Sequence, residues 1–329
     1  MQQESAMRAF IFPGQGSQAV GMGKALAEAS PVAREVFGEV DEALGQHLFR
    51  LMTGGPGEDL QLTENAQPAI MANAIATLRV LEREGGVRLA DKADYVAGHS
   101  LGEYSALCAA GAFDLSTTAR LLKVRGQAMQ AAVPVGEGAM AALLGADLDK
   151  AQTIAGAAVD AILAEGGPSS EGELVCTVAN DNDPSQVVIS GHRLAIERAV
   201  ALAKDLGAKR AVLLPVSAPF HCPLMQPAAD AMDAALAEAR IAAPLVPVFA
   251  NVDAVAIADP GAIRVALVRQ VTGMVRWRES VLAMVDAGVT QFAEFGGKVL
   301  SPMVKRIAPD VEAISVVTMD DIEDLLKKV

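Results

Sequence analysis

The chain is poor in the residues that would tie it to a metal, an oxidising compartment, a nucleic acid or a membrane. Only three of its 329 residues are cysteine, namely Cys108, Cys176 and Cys222, and they stand far apart. No two have metal-ligand spacing, so they are expected to be reduced thiols in a cytoplasmic protein. Four histidines (His47, His99, His192, His221) and no cysteine cluster give no structural zinc pattern. Lysine and arginine are outnumbered 27 to 40 by aspartate and glutamate, for a net charge of −13; this excess of acid argues against a nucleic-acid partner. No apolar run reaches the roughly 20 residues of a membrane span. Met1–Met7 has no apolar core of the kind a secretory signal needs. Aromatics make up only 4% of a chain that is 52% hydrophobic. The apolar content is therefore largely Ala, Val and Leu, the texture of a helix-rich α/β protein, and a mean hydropathy of +0.31 excludes disorder.

What is present is one chemically pointed stretch, Gly98-His99-Ser100-Leu101-Gly102. It follows the apolar run Asp94–Ala97 and leads into the helix-prone Glu103–Leu107, giving strand, tight turn, then helix. A Gly-x-Ser-x-Gly turn in that setting lifts a serine hydroxyl to a helix N-terminus, where backbone N–H groups can receive an oxyanion. The reaction class it points to is acyl transfer through a serine ester.

Around it the pattern reads as an α/β fold. Met7–Phe12 is a strand, Pro31–Leu44 and Gln67–Glu84 are helices, and Ser116–Ala132 is a helix carrying Arg125. After Pro134 the order becomes strand Ala139–Leu144, helix Asp149–Leu163, strands Leu174–Ala179 and Gln186–Ser190, helix Arg193–Leu206, strand Lys209–Leu214. That βαββαβ order is ferredoxin-like, with Glu165–Gly172 as an exposed loop within it. The expected organisation is a larger hydrolase-like α/β domain with a parallel sheet core, residues 1–133 and 214–329, into which a small subdomain, 134–213, is inserted.

A serine nucleophile needs a base within hydrogen-bond reach. His221, in the proline-flanked loop Ser217–Pro223, is the candidate a rigid loop favours. His99 adjoins the serine, but neighbouring side chains diverge at such a turn, which suits it to a polar lining role. His47 reads as a surface residue and His192 as a cap. Cys222 is a rival nucleophile without a glycine-rich elbow. Gly14-x-Gly16-x-x-Ala19 fits a dinucleotide-binding loop, yet no acidic strand end follows about twenty positions on, as that reading requires. The same loop could give backbone donors to an oxyanion. Arg125, on an Ala/Leu/Val-rich helix, must either snorkel to water or meet an anion.

Taken together, the stretches FPGQGSQ (12–18), TENAQPAI (63–70), GHSLGEYSAL (98–107), RGQAMQ (125–130), QVVISG (186–191), GAKRAVLLPVSAPFHCPLM (207–225) and ANVDA (250–254) resemble the malonyl-CoA:acyl carrier protein transacylases of bacterial fatty-acid synthesis. They span nearly the whole chain in the family's order. The resemblance implies Ser100 as nucleophile and His221 as general base and acid, with backbone N–H groups of Gln15 and Leu101 as the oxyanion hole. It implies that Arg125 pairs with a malonyl carboxylate and that Gln270 supplies a main-chain carbonyl orienting the histidine. His99, Phe220, Asn180 and Asn182 are implied to line the substrate pocket. The implied partners are malonyl-CoA and acyl carrier protein, with no cofactor and no metal, and a monomer is expected.

Two positions depart from the family pattern. Phe220 stands where bacterial members usually carry a small residue; in the related polyketide-synthase acyltransferases a Phe there accompanies malonyl rather than methylmalonyl choice. Gly296-Gly297-Lys298 replaces a Gly-Pro-Gly-Lys loop and is one residue shorter. Alternatives with the same serine chemistry are a trans-acting polyketide-synthase acyltransferase and a serine esterase. From other classes come a nucleotide-binding module and a non-catalytic carrier-docking protein.

Overall fold

The structure is a computed structural model that describes residues 6–167 and 174–329. Most of the loop expected over Glu165–Gly172 lies outside the described residues. Among the described residues there are ten strands: β1 (Met7–Phe12), β2 (Tyr95–Gly98), β3 (Gly138–Leu144), β4 (Cys176–Asp183), β5 (Gln186–His192), β6 (Arg210–Leu213), β7 (Val248–Ala250), β8 (Val255–Ile257), β9 (Val289–Phe295) and β10 (Glu312–Val316).

They form two sheets. The larger runs β10-β9-β1-β2-β7-β8, and its first five strands are parallel. The expected parallel core is thus present, with one qualification: β8 folds back antiparallel on β7 through a short turn at the edge. A parallel sheet is covered on both faces, so its strands read as continuous apolar runs. In β1, Phe10 and Phe12 enter one core with the helix Thr63–Arg83, while Ala9 and Ile11 enter another with Trp277 and Phe292.

The smaller sheet, β4-β5-β3-β6, is antiparallel throughout. With the helices Leu148–Ala164 and Arg193–Leu202 it completes the βαββαβ order. Alternation along β3 divides its side chains between two environments. Ala139, Ala141 and Leu143 pack under the subdomain's own helices, whereas Met140 and Ala142 face the main core.

Strand β4 runs four residues beyond the apolar stretch read from sequence, through Asn180-Asp181-Asn182-Asp183, all buried. Buried polar groups must be satisfied, and the large domain supplies the partners. Arg278 binds Asp181 at 2.9 Å and Arg306 binds Asp183 at 2.8 Å. Asp181 N donates to Val275 O, and Val275 N donates to Ala179 O. The two units are therefore clamped along one strand. Asp181→Ala is expected to lower unfolding free energy by about 1.5–3 kcal/mol, the range for a charge-assisted hydrogen bond. Urea melts measure it, and a loss under about 0.5 kcal/mol, the scale of an exposed pair, would contradict the clamp.

Candidate active site

The register Phe12↔Gly98 ends β1 and β2 side by side, so the loops after them emerge together at the carboxyl edge of the sheet. Ser100 sits at the tip of the second loop with φ 54° and ψ −113°, as N-cap of the helix Leu101–Ala109. A non-glycine residue in that region is strained and persists only where its surroundings over-determine it. Here they do. A Cβ on Gly98 would lie 1.9 Å from Gly102 O, and one on Gly102 would lie 2.2 Å from Phe12 O, so only glycine fits either position. Ser100 N donates to Asn251 Oδ1 at 2.8 Å, and Asn251 Nδ2 donates to Gly98 O at 2.7 Å. The loop after β7 thereby splints the turn.

The serine hydroxyl has two partners. Its Oγ lies 2.7 Å from His221 Nε2 and 3.1 Å from an Arg125 NH2 nitrogen. His221 Nδ1 lies 2.9 Å from Gln270 O. A carbonyl can only accept, so Nδ1 carries the proton and Nε2 is left as the acceptor for the serine O–H. Burial, and then the charge of Arg125, push the imidazole down to about 3. It is therefore neutral, as a base must be, across the physiological range.

Arg125 is 1% exposed, so the anion alternative of the sequence reading gains ground over snorkelling. Its terminal nitrogens donate to Gln67 Oε1 and Gln270 Oε1, both at 2.8 Å, and its Nε has no partner among the described residues. The Tyr104 ring lies 5.6 Å from the guanidinium carbon. Among the described residues no carboxylate forms an ion pair with it. Glu103 is equally buried and accepts at Oε2 from Gln270 Nε2 (2.8 Å) and Asn251 N (3.0 Å). The Gln270 amide is thus wedged between the two charges. Its oxygen faces the cation and its nitrogen faces the anion.

A cavity of about 260 Å³ opens over Ser100, walled by residues of both units, including Gln15, Arg125, Met140, Asn180, Phe220 and His221. Gln15 and Leu101 both line it, and among the described residues neither backbone N–H has a hydrogen-bond partner. The neighbouring donors are committed: Ser100 N to Asn251, Gly16 N to Gln18, Gly102 N to His99 O. His99 lines the cavity too, its Nε2 2.8 Å from Asn182 Oδ1. Asn182 itself, expected in the lining, stands behind His99 instead, because its side chain is engaged there. Cys222 is fully buried, donates to Pro219 O, and has its thiol pushed up by burial, which leaves it unreactive.

His47 and His192 both stand at helix N-caps without side-chain capping bonds; His192 Nδ1 instead accepts from Val175 N. The glycine loop after β1 opens no helix until Lys24, so the dinucleotide-binding reading lacks its helix N-terminus. The shortened Gly296-Gly297 loop packs at the same edge. A Cβ on Gly296 would lie 2.6 Å from Ala74 Cα, and Asn73 Nδ2 donates to Gly296 O.

Residues 9–297 match the model of the acyl transferase domain. The chain belongs to this family. Among curated acyl transferases it is 47% identical over 307 residues to the malonyl CoA-acyl carrier protein transacylase of Escherichia coli K12, covering 93% of this chain and 94% of the relative. Among solved structures it superposes on an acyl-carrier-protein S-malonyltransferase from Bartonella henselae with a TM-score of 0.91, at 51% identity and 98% of both chains. A malonyl-transacylase solved with its type II polyketide-synthase acyl-carrier protein also matches, at TM-score 0.91 and 39% identity over 98% of this chain and 100% of that one.

Three buried acyl-transferase residues had no assigned part in the sequence reading: Gln67, Glu103 and Asn251. The first two sit within helices and the third follows a strand, and each acts through partners distant in sequence. The glycine fit generates a stability prediction. Gly102→Ala pushes a Cβ into main chain that cannot move aside and should cost about 3 kcal/mol or more. Gly38→Ala, with open space around its Cβ on the helix Pro31–Leu44, should be neutral or stabilising by up to about 1 kcal/mol. Equal urea midpoints for the two variants would refute the close fit.

Proposed function

We propose that this acyl transferase moves a malonyl group from malonyl-CoA to the phosphopantetheine thiol of acyl carrier protein, through a malonyl ester on Ser100. One observation carries the reading: the serine Oγ touches a neutral imidazole on one side and a buried, carboxylate-free guanidinium on the other.

The steps follow from those contacts. Nε2 of His221 takes the Ser100 proton as Oγ attacks the thioester carbonyl, and Nδ1–H stays fixed on Gln270 O. Charge gathers on the carbonyl oxygen, to which the free N–H groups of Gln15 and Leu101 donate; one such donor is worth roughly a hundredfold or more in rate. Coenzyme A departs as a thiol with the proton held on Nε2. The carrier thiol then repeats the sequence in reverse, and Ser100 regains its proton. Arg125 pairs with the malonyl carboxylate. An acetyl group would leave that guanidinium buried and unpaired, which is costly. Phe220, buried in the cavity wall, crowds the acyl α-carbon and disfavours a branched unit by about 1–3 kcal/mol. The scheme needs no resident metal or cofactor. The enzyme acts as a monomer in the cytoplasm. No described helix is long and apolar enough to cross a membrane.

A second carrier fits the same chemistry. Likeness to the transacylase solved with a polyketide-synthase carrier supports service to such a carrier in trans.

Intact-mass measurement after mixing with malonyl-CoA should give one malonyl adduct on the wild type and none on Ser100→Ala; an adduct that survives the substitution would sink the serine-ester route. In Arg125→Ala, malonyl loading should fall roughly a hundredfold and acetyl loading less than about tenfold. Parallel losses on the two thioesters would remove Arg125 from carboxylate recognition.

A further inference from the structure

Among the described residues the buried floor of the site holds one guanidinium, Arg125, and one carboxyl group, Glu103, each 1% exposed and separated by the Gln270 amide. At pH above 7, before substrate arrives, the two charges balance. The relay keeps Glu103 off the guanidinium, so the acid compensates Arg125 without occupying the face that opens to the cavity. A bound malonyl carboxylate would then make two anions around one buried cation. Excess buried charge is expensive, and a buried acid relieves it by taking a proton.

We propose that Glu103 is the proton-accepting counter-charge of the malonyl site, ionised while Arg125 faces an empty cavity and protonated when a malonyl carboxylate is paired there. The inference rests on the assignment of Arg125 to that carboxylate. In the step, one proton passes from solvent to a Glu103 oxygen and forms an O–H bond; no substrate bond breaks. The hydrogen-bond frame survives the change. Among the described residues only Oε2 carries partners, Gln270 Nε2 and Asn251 N, so a proton on Oε1 leaves both contacts in place.

The surrounding groups leave Glu103 as the one that responds. From the helix Leu115–Ala132 it faces Arg125. From the turn after β7 it faces Asp253, which is held by two 2.9 Å hydrogen bonds from Arg269 on the helix Pro260–Thr272. From its own helix its neighbour is Tyr104, whose hydroxyl burial pushes up, and across Gln270 lies His221, pushed down and neutral. Burial raises Glu103 to about 7, with Asn251, Gln270 and Arg125 opposing. A further negative charge at Arg125 removes part of that opposition, which moves the acid higher still. Malonyl capture should therefore weaken as pH rises above 7.

The test is calorimetry on Ser100→Ala, which binds without turnover, titrated with malonyl-CoA at pH 7.5–8 in two buffers of different ionisation enthalpy. Uptake approaching one proton is expected with malonyl-CoA and none with acetyl-CoA, which shares the coenzyme phosphates. In steady state, the wild-type KM for malonyl-CoA should rise by up to about tenfold per pH unit between pH 7 and 9. Glu103→Gln keeps an acceptor for both donors and mimics the protonated acid; its KM should vary less than about twofold over that range. If this variant does not fold, the calorimetry and the wild-type profile decide alone. Equal uptake with both thioesters, no uptake, or a Glu103→Gln profile parallel to wild type overturns the proposal. Arg125→Ala separates the two levels: lost malonyl preference without proton uptake in the parent overturns only the Glu103 role, whereas retained preference overturns the reading beneath it.

Discussion

The pairing of β1 with β2 is the constraint from which the site follows. Because the two strands are parallel and end in register at Phe12 and Gly98, their following loops must leave the sheet together. One carries Gln15 and the other Ser100. The approach is so close that Gly102 meets Phe12 O and Gly14 meets His99 O, each at a distance no Cβ could tolerate. The main chain is thereby forced into the positive-φ bend that raises the serine hydroxyl. Neighbouring strands finish at the same edge: β7 delivers Asn251 to splint the bend, and β9 delivers the Gly296-Gly297 loop, which packs on Pro13. Geometry that looks local to five residues is set by four strand ends.

A second constraint is dielectric. Arg125, Glu103 and His221 are all buried, and in such surroundings each ionisation answers to the others. Arg125 helps hold His221 neutral, which suits a base, yet the proposed function needs the same guanidinium to stay available to an anion. Direct pairing with Glu103 would satisfy both charges and close the site. Inserting Gln270 avoids this, and the same residue's main-chain carbonyl fixes the His221 tautomer. One residue therefore ties base orientation to the cation. A parallel link runs the other way: Arg125 donates to Gln67, Gln67 to Thr63, and Thr63 to Gln15 Oε1, joining the cation to the loop with the free N–H.

Sequence periodicity reached the elements whose residues advertise them and missed those that depend on partners. Gly98–Gly102, the apolar strand before it and strand β1 were legible because steric need for glycine and continuous burial both leave local marks. The βαββαβ order was legible because alternation and helical spacing follow one another without interruption. The polar end of β4 was not, since Asp181, Asn182 and Asp183 look like loop until Arg278, His99 and Arg306 are seen to satisfy them. Edge strand β8, Val255-Ala256-Ile257, is apolar but mostly exposed, and three residues are too few to show a period. Short helices such as Trp277–Asp286 and Leu300–Ile307 were unread, the latter begun by Glu294, whose carboxylate accepts from three backbone N–H groups at its start. At the site, the turn and the proline-flanked loop single out Ser100 and His221 by residue type, whereas a carboxylate role for Arg125 comes only from the family resemblance. Glu103, Gln67 and Asn251 were passed over because their work is to hold other side chains.

The inserted subdomain has a mechanical place in this scheme. Its β3 alternates between its own helices and the cavity, so Met140 forms wall while Ala141 forms core. Its β4 is fixed to the large domain by two arginine–aspartate pairs and by main-chain bonds to Val275, five residues beyond Gln270. Asn182 on the same strand reaches His99, the residue beside Ser100. The wall that sets the cavity's width is consequently indexed to the turn that carries Ser100 and to the segment that orients His221. A subdomain joined only through its two chain crossings would leave that width to thermal motion; one stitched along a buried strand makes it a property of the fold, which is what the proposed discrimination by a single carboxylate requires.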